Sequence, residues 1–130
     1  MNRTIKVRAW DILEKKFVTN FFNGSMPKLM INLKGELGWI DDSFDGISIK
    51  YVIQQYTGLN DKNGKEIYEG DIVKLIDNSV GDIQYEDSSA SYIFSGFLES
   101  EESYDKASLS YVGITRAEVI GNIFENKFGV

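Results

Sequence analysis

From Gln55 to Lys74 the chain reads Gln-Tyr-Thr-Gly-Leu-Asn-Asp-Lys-Asn-Gly-Lys-Glu-Ile-Tyr-Glu-Gly-Asp-Ile-Val-Lys, short apolar runs broken repeatedly by turn signals. That rhythm suits short strands joined by tight reversals. Asn63-Gly64 predicts a hairpin, because Asn and Gly tolerate the positive φ angles of a tight reversal, and Asp61 can bond nearby backbone amides at its entry. Glu69-Gly70 predicts a second reversal. After it, Asp71 to Ile76 is apolar on both faces apart from Lys74, the pattern of a strand in the middle of a small closed sheet.

The same reading extends in both directions. Ile5, Val7 and Ala9 alternate with Lys6 and Arg8, predicting a strand with one buried face; Asp11 to Lys16 reads as a turn and Phe17 to Phe22 as a returning strand. Between residues 23 and 46 the glycines and Pro27 confine Leu29 to Leu33 and Leu37 to Ile40 to short strands. Ile49, Tyr51 and Ile53 keep the strand period, although Ile49, Val52, Ile53 and Tyr56 would also line a helical face; strand is favoured. Gly81-Asp82 marks a further turn, Ile83 and Tyr85 begin a strand, and Tyr92 to Leu98 is a β-prone run. Glu99 to Ser110 is polar and reads as an exposed loop or short surface helix. The last apolar segment, Val119 to Phe124, is divided: Thr115-Arg116-Ala117-Glu118 fits a helix capping box, while Gly121 opposes a helix at about 1 kcal/mol. Close spacing of the later apolar segments suggests a barrel.

Composition decides mostly what to exclude. The 130 residues contain no His and no Cys, which removes imidazole and thiolate metal sites, cysteine nucleophiles, disulfides and histidine-dependent catalysis. The aromatics, 8 Phe, 7 Tyr and 2 Trp, supply a core, and 12 Gly with one Pro suit strands and turns. No apolar run approaches the ~20 residues that span a bilayer, and the N-terminus has no secretory pattern, so the expectation is a cytoplasmic protein without membrane attachment. The net charge of −6 is unevenly spread: residues 1 to 54 carry +2, residues 55 to 76 carry −1, and residues 77 to 130 carry −7. Such an acidic C-terminal part disfavours nucleic acid as a partner. The change in charge and turn density places a boundary near residue 54, with regions 1–54 and 55–130.

Gln55-Tyr56-Thr57-Gly58-Leu59 followed by Asp61-Lys62-Asn63-Gly64-Lys65-Glu66-Ile67-Tyr68-Glu69-Gly70-Asp71-Ile72-Val73 resembles the signature of the YopX family of phage and prophage proteins. Lys6 to Asp11 and Glu118 to Asn126 resemble the family's opening and closing segments. The resemblance implies a mainly β protein, with an N-terminal β-rich region over 1–54 and a small SH3-type barrel over 55–130, and it favours strand over helix at Glu118 to Phe124. It also implies a phage or prophage origin, the bacterial cytoplasm, and some self-association. No activity comes with it.

Candidate sites are weighed against structural uses of the same residues. The Asp61 to Gly64 loop lacks the alternating acidic ligands and terminal glutamate of a calcium loop, and Gly58, Gly64 and Gly70 match neither a dinucleotide fingerprint nor a P-loop. Asp41-Asp42-Asp45 and Glu99-Glu101-Glu102 are the densest carboxylate clusters, as solvated loops usually carry. Lys62, Lys65 and Lys74 with Tyr56 and Tyr68 form a candidate aromatic and basic face for single-stranded nucleic acid. The expectation is a non-enzymatic accessory protein with no catalytic, cofactor-binding or metal-binding residue. It would bind an unknown protein partner, host-encoded or a copy of itself; the alternatives are nucleic-acid binding, or acidic mimicry of nucleic acid directed at a host protein.

Overall fold

The structure, a computed structural model, describes residues 4–17, 28–31, 37–40, 51–99 and 102–125. They form β1 (Val7–Asp11), β2 (Lys16–Phe17), β3 (Lys28–Ile31), β4 (Leu37–Ile40), β5 (Tyr51–Asn60), β6 (Glu66–Tyr68), β7 (Asp71–Lys74), β8 (Val80–Glu86), β9 (Ser91–Leu98), β10 (Ser103–Ser108), a single 3₁₀ turn (Ile114–Arg116) and β11 (Glu118–Asn122). The protein is mainly β, and the described residues include no α-helix. The chain divides into two compact units, Arg8–Ile53 and a larger one made of Met1–Val7 with Gln54–Val130.

In the smaller unit β1 and β2 form an antiparallel hairpin with Trp10 opposite Phe17, their rings packed edge to face at 4.9 Å. The turn is closed by Asp11, whose Oδ1 accepts the N–H groups of Leu13 and Glu14 at 3.0 and 2.9 Å. Burial does not follow the expected Ile5-Val7-Ala9 alternation. Ile5 is 69% exposed because it precedes the strand, and Ala9, Trp10 and Asp11 are buried in succession. β3 and β4 lie where the short apolar segments predicted strands, and they pair antiparallel. The rest of the expected returning strand beyond Phe17, and the positions before Tyr51, lie outside the described residues.

The larger unit contains an antiparallel sheet of order β10-β9-β8-β7-β11, and β6 pairs with the continuation of β5. Its core is built from Phe94, Ile67, Val73, Ile83 and Ala117, all at most 1% exposed, with Val119 closing over them. β7 lies between β8 and β11, as its two-sided apolarity requires. The Glu69-Gly70 reversal carries the chain from β6 into this sheet: Gly70 has φ +84°, and a Cβ there would lie 1.8 Å from Nε2 of the buried Gln54. No side chain fits.

Two expectations change here, and one divided segment is resolved as the resemblance implies. Gly81-Asp82 is not a turn but the interior of β8; Gly81 faces Gly96 across the ladder, and a Cβ on Gly81 would meet a Phe94 ring carbon at 2.5 Å. The glycine pair makes room for the core phenylalanine and brings β8 close to β9. The actual reversal is Leu75 to Ser79, where Asp77 Oδ1 accepts the Ser79 N–H at 2.9 Å. The polar stretch after Glu99 is neither loop nor helix along most of its length: Ser103–Ser108 is β10, paired with β9 at the sheet edge, where charged side chains project to solvent without a burial cost. Glu118–Asn122 is a strand with a bulge between Val119 and Gly121, and that one extra residue shifts the period, which is why Val119, Ile120, Ile123 and Phe124 are also spaced as on a helical face.

Candidate functional site

Asp61 organises the central hairpin. Its buried carboxylate accepts the Asn63 and Lys65 N–H groups on Oδ1 at 2.8 and 2.9 Å, and the Val119 N–H on Oδ2 at 3.0 Å. Burial pushes this carboxyl's pKa up, but the three backbone donors and the nearby Lys65 charge outweigh it and hold the pKa below the usual carboxylate value. The reversal therefore spans Asp61 to Lys65; Gly64 has φ +81°, while Asn63 is not in the left-handed region expected of a two-residue Asn-Gly turn. Five residues suffice because the aspartate satisfies the loop amides.

Strand pairing then places the aromatics. Tyr56 and Tyr68 are direct cross-strand partners with ring centroids 5.6 Å apart, and the Tyr56 hydroxyl bonds Asn60. Tyr85 and Tyr92 are partners across β8 and β9, their rings edge to face at 5.3 Å. Tyr56, Tyr85 and Tyr92 line a groove of about 610 Å³ with Thr4, Gln55 and Glu69. Its floor is held by the Gln55 N–H, which donates to Glu69 Oε1 at 2.9 Å, and Tyr85 remains 47% exposed.

The expected basic and aromatic face is split. Lys62 and Lys74 line a different groove, of about 420 Å³, with Arg116, Glu118 and Ile76. Lys65 is exposed on the hairpin. The cation beside the tyrosines is Lys6 of the basic N-terminal segment, outside the Lys62, Lys65 and Lys74 set: its Nζ is 6.0 Å from the Tyr56 ring centroid and 2.6 Å from Glu66 Oε2, and this carboxylate raises the lysine's pKa. The Tyr56 N–H donates to the Lys6 carbonyl at 2.8 Å, and the β5–β6 pairing brings Glu66 to the same place, although 60 residues separate it from Lys6.

Buried Asp and Asn side chains serve turns. Asp71 Oδ2 accepts the Tyr68 N–H at 2.8 Å, and Asn122 Oδ1 does the same for Phe124 and Glu125 at 2.9 Å. Between β9 and β10 the Glu102 backbone N–H donates to the Glu99 backbone carbonyl at 3.4 Å; Asp41, Asp42, Asp45 and Glu101 lie outside the described residues. Among the described residues no group of three or more Asp or Glu side chains converges as a metal would require, and no helix is long and apolar enough to cross a membrane.

The family model described as YopX protein matches residues 6–127. A crystal structure of protein EF1440 from Enterococcus faecalis is similar to this chain, with 31% sequence identity, a TM-score of 0.58 and 98% of each chain covered. No curated protein matches.

Proposed function

Because the chain belongs to the YopX protein family, we propose that it is a non-enzymatic interaction module of a phage or prophage, acting in the bacterial cytoplasm through the tyrosine-lined groove of its larger unit. That unit is read as a small SH3-type barrel, a reading supported by the meander from β7 to β10 and the return of β11 beside β7. The partner is a host protein presenting an extended, cation-bearing segment. The observation that carries this reading is the convergence of Tyr56, Tyr85 and Tyr92 with Glu69 in one groove. Tyrosine rings offer large contact area with a polar tip, and their faces hold cations, as Tyr56 does with Lys6. Residues 55 to 130 sum to −8, which steers a basic segment toward the groove. The non-enzymatic reading is supported by the employment of Asp61 and Asp71 as backbone acceptors; a general acid needs a raised pKa, and that of Asp61 is lowered. Separation of Lys62 and Lys74 from the tyrosines favours a protein over nucleic acid.

The test is capture of host protein on the immobilised full chain and on Tyr85→Ala. Substitution of a half-exposed groove residue should leave the thermal midpoint unchanged and reduce the captured protein several-fold. Equal capture by Tyr85→Ala and Tyr92→Ala, or capture of nucleic acid in place of protein, overturns the reading.

A further inference from the structure

In a unit dominated by negative charge, the cations around the start of β11 stand out. Three backbone features bring them together from separate parts of the sequence. The Lys62 N–H donates to the Ala117 carbonyl at 3.0 Å, Lys74 is the cross-strand partner of Glu118, and Arg116 is two residues before Glu118. Arg116 is also directed by its turn. Gly113, at φ +65°, lies against it closely enough that a Cβ there would be 2.9 Å from a guanidinium nitrogen. Lys62 is 3.7 Å from Glu118, but among the described residues neither Lys74 nor Arg116 is ion-paired.

Apolar surface adjoins this charge. Leu75, Ile76 and Arg116 also line a second depression with Asp77, Leu98 and Tyr111, so the two depressions share a wall. Ile76 is 66% exposed and Tyr111 69% exposed. An exposed isoleucine and a largely exposed tyrosine beside Lys62, Lys74 and Arg116, which outnumber the lining carboxylates Glu118 and Asp77, form a surface that is both apolar and net positive. We infer that this surface, distinct from the tyrosine groove, docks a short acidic peptide segment of a partner protein, its carboxylates on Lys74 and Arg116 and an apolar side chain against Ile76 and Tyr111.

Charge complementarity selects the occupant. Arg116 can take a carboxylate in a bidentate fork, and Lys74 adds a point charge. A nucleic-acid strand would meet the same cations but would extend its phosphates over a unit whose residues 55 to 130 sum to −8, where repulsion grows with every added nucleotide. A short segment with few carboxylates and an aliphatic residue gains from both halves of the site and meets less of that repulsion, because its charges stay on the cations.

The probe is a short fluorescein-labelled peptide of alternating Glu and Leu, titrated with the full chain at low salt and followed by anisotropy and by amide chemical shifts. Controls are the Gln-Leu counterpart, inorganic phosphate, and a short single-stranded oligonucleotide. Saturable binding of the Glu-Leu peptide, with shifts at Lys74, Ile76, Tyr111 and Arg116, is expected. Arg116→Glu should weaken it on the order of tenfold and Lys74→Gln less, with thermal midpoints unchanged because both side chains are exposed. Equal binding of the Gln-Leu peptide, tighter binding of the oligonucleotide, undiminished binding to both variants, shifts confined to the tyrosine groove, or no binding of the Glu-Leu peptide would each overturn the inference.

Discussion

Asp61 shows how one side chain can determine the geometry of a whole region. The sequence pointed to it as a turn former, and its local bonds to Asn63 and Lys65 are what an aspartate at a hairpin entry does. Its bond to Val119, 58 residues away, could not be read locally, because nothing in the pattern around residue 61 specifies which strand end arrives there. Asp61→Asn keeps the size but replaces one acceptor oxygen with an amide that opposes the Val119 N–H. We expect a loss of about 2 kcal/mol at neutral pH in urea unfolding. The pH dependence follows from the sign of the shift. The folded pKa is depressed below the ordinary aspartate value of 3.8, so the carboxylate's contribution is fully present above that value and disappears as pH falls through the folded pKa. The stability gap between wild type and Asp61→Asn should therefore be constant near neutrality and narrow in strong acid; a gap that does not narrow contradicts the assignment.

At the scale of elements, the legible strands were those with two-sided or alternating apolar residues: β7, β9 and the later part of β8 all appear where the pattern put them. β10 was missed because an edge strand buries little, and Ser-Tyr-Asp-Lys-Ala-Ser carries no apolar period to betray it. β11 was ambiguous because its bulge mixes strand and helix periods, and the family resemblance settled it correctly. Gly81 was misread for another reason: a glycine that opens a turn and one that permits close packing look alike in one dimension. The Gly81–Gly96 pair makes a direct prediction. A Cβ on Gly96 would meet the Val80 carbonyl oxygen at 2.5 Å and the Gly81 Cα at 2.7 Å, backbone atoms that cannot rotate away. Gly96→Ala should cost about 2 kcal/mol and lower the thermal midpoint by roughly 10 °C. A midpoint within a degree of wild type would mean that β8 and β9 are not that close.

For the molecule as a whole, the larger unit depends on one compact core centred on Phe94, which is fully buried. Phe94→Ala should cost about 4 kcal/mol, a large share of the roughly 5–15 kcal/mol that stabilises an ordinary domain. A thermal midpoint lowered by roughly 20 °C in tyrosine signal and circular dichroism is the expected result; a transition of unaltered midpoint would show the core to lie elsewhere. Without structure, the amino-acid order already determined the β character, the reversals at Asn63-Gly64 and Glu69-Gly70, the family, and the exclusion of thiol and imidazole chemistry, since backbone preference, apolar period and side-chain inventory are local properties. Only the tertiary structure decided that Lys6 belongs with Tyr56, that Lys62, Lys74 and Arg116 share a groove, and that Gly81 and Gly96 are spacers. Those neighbours are set by ladder register, which depends on the packing of strands far apart in the chain rather than on any residue's own conformational preference.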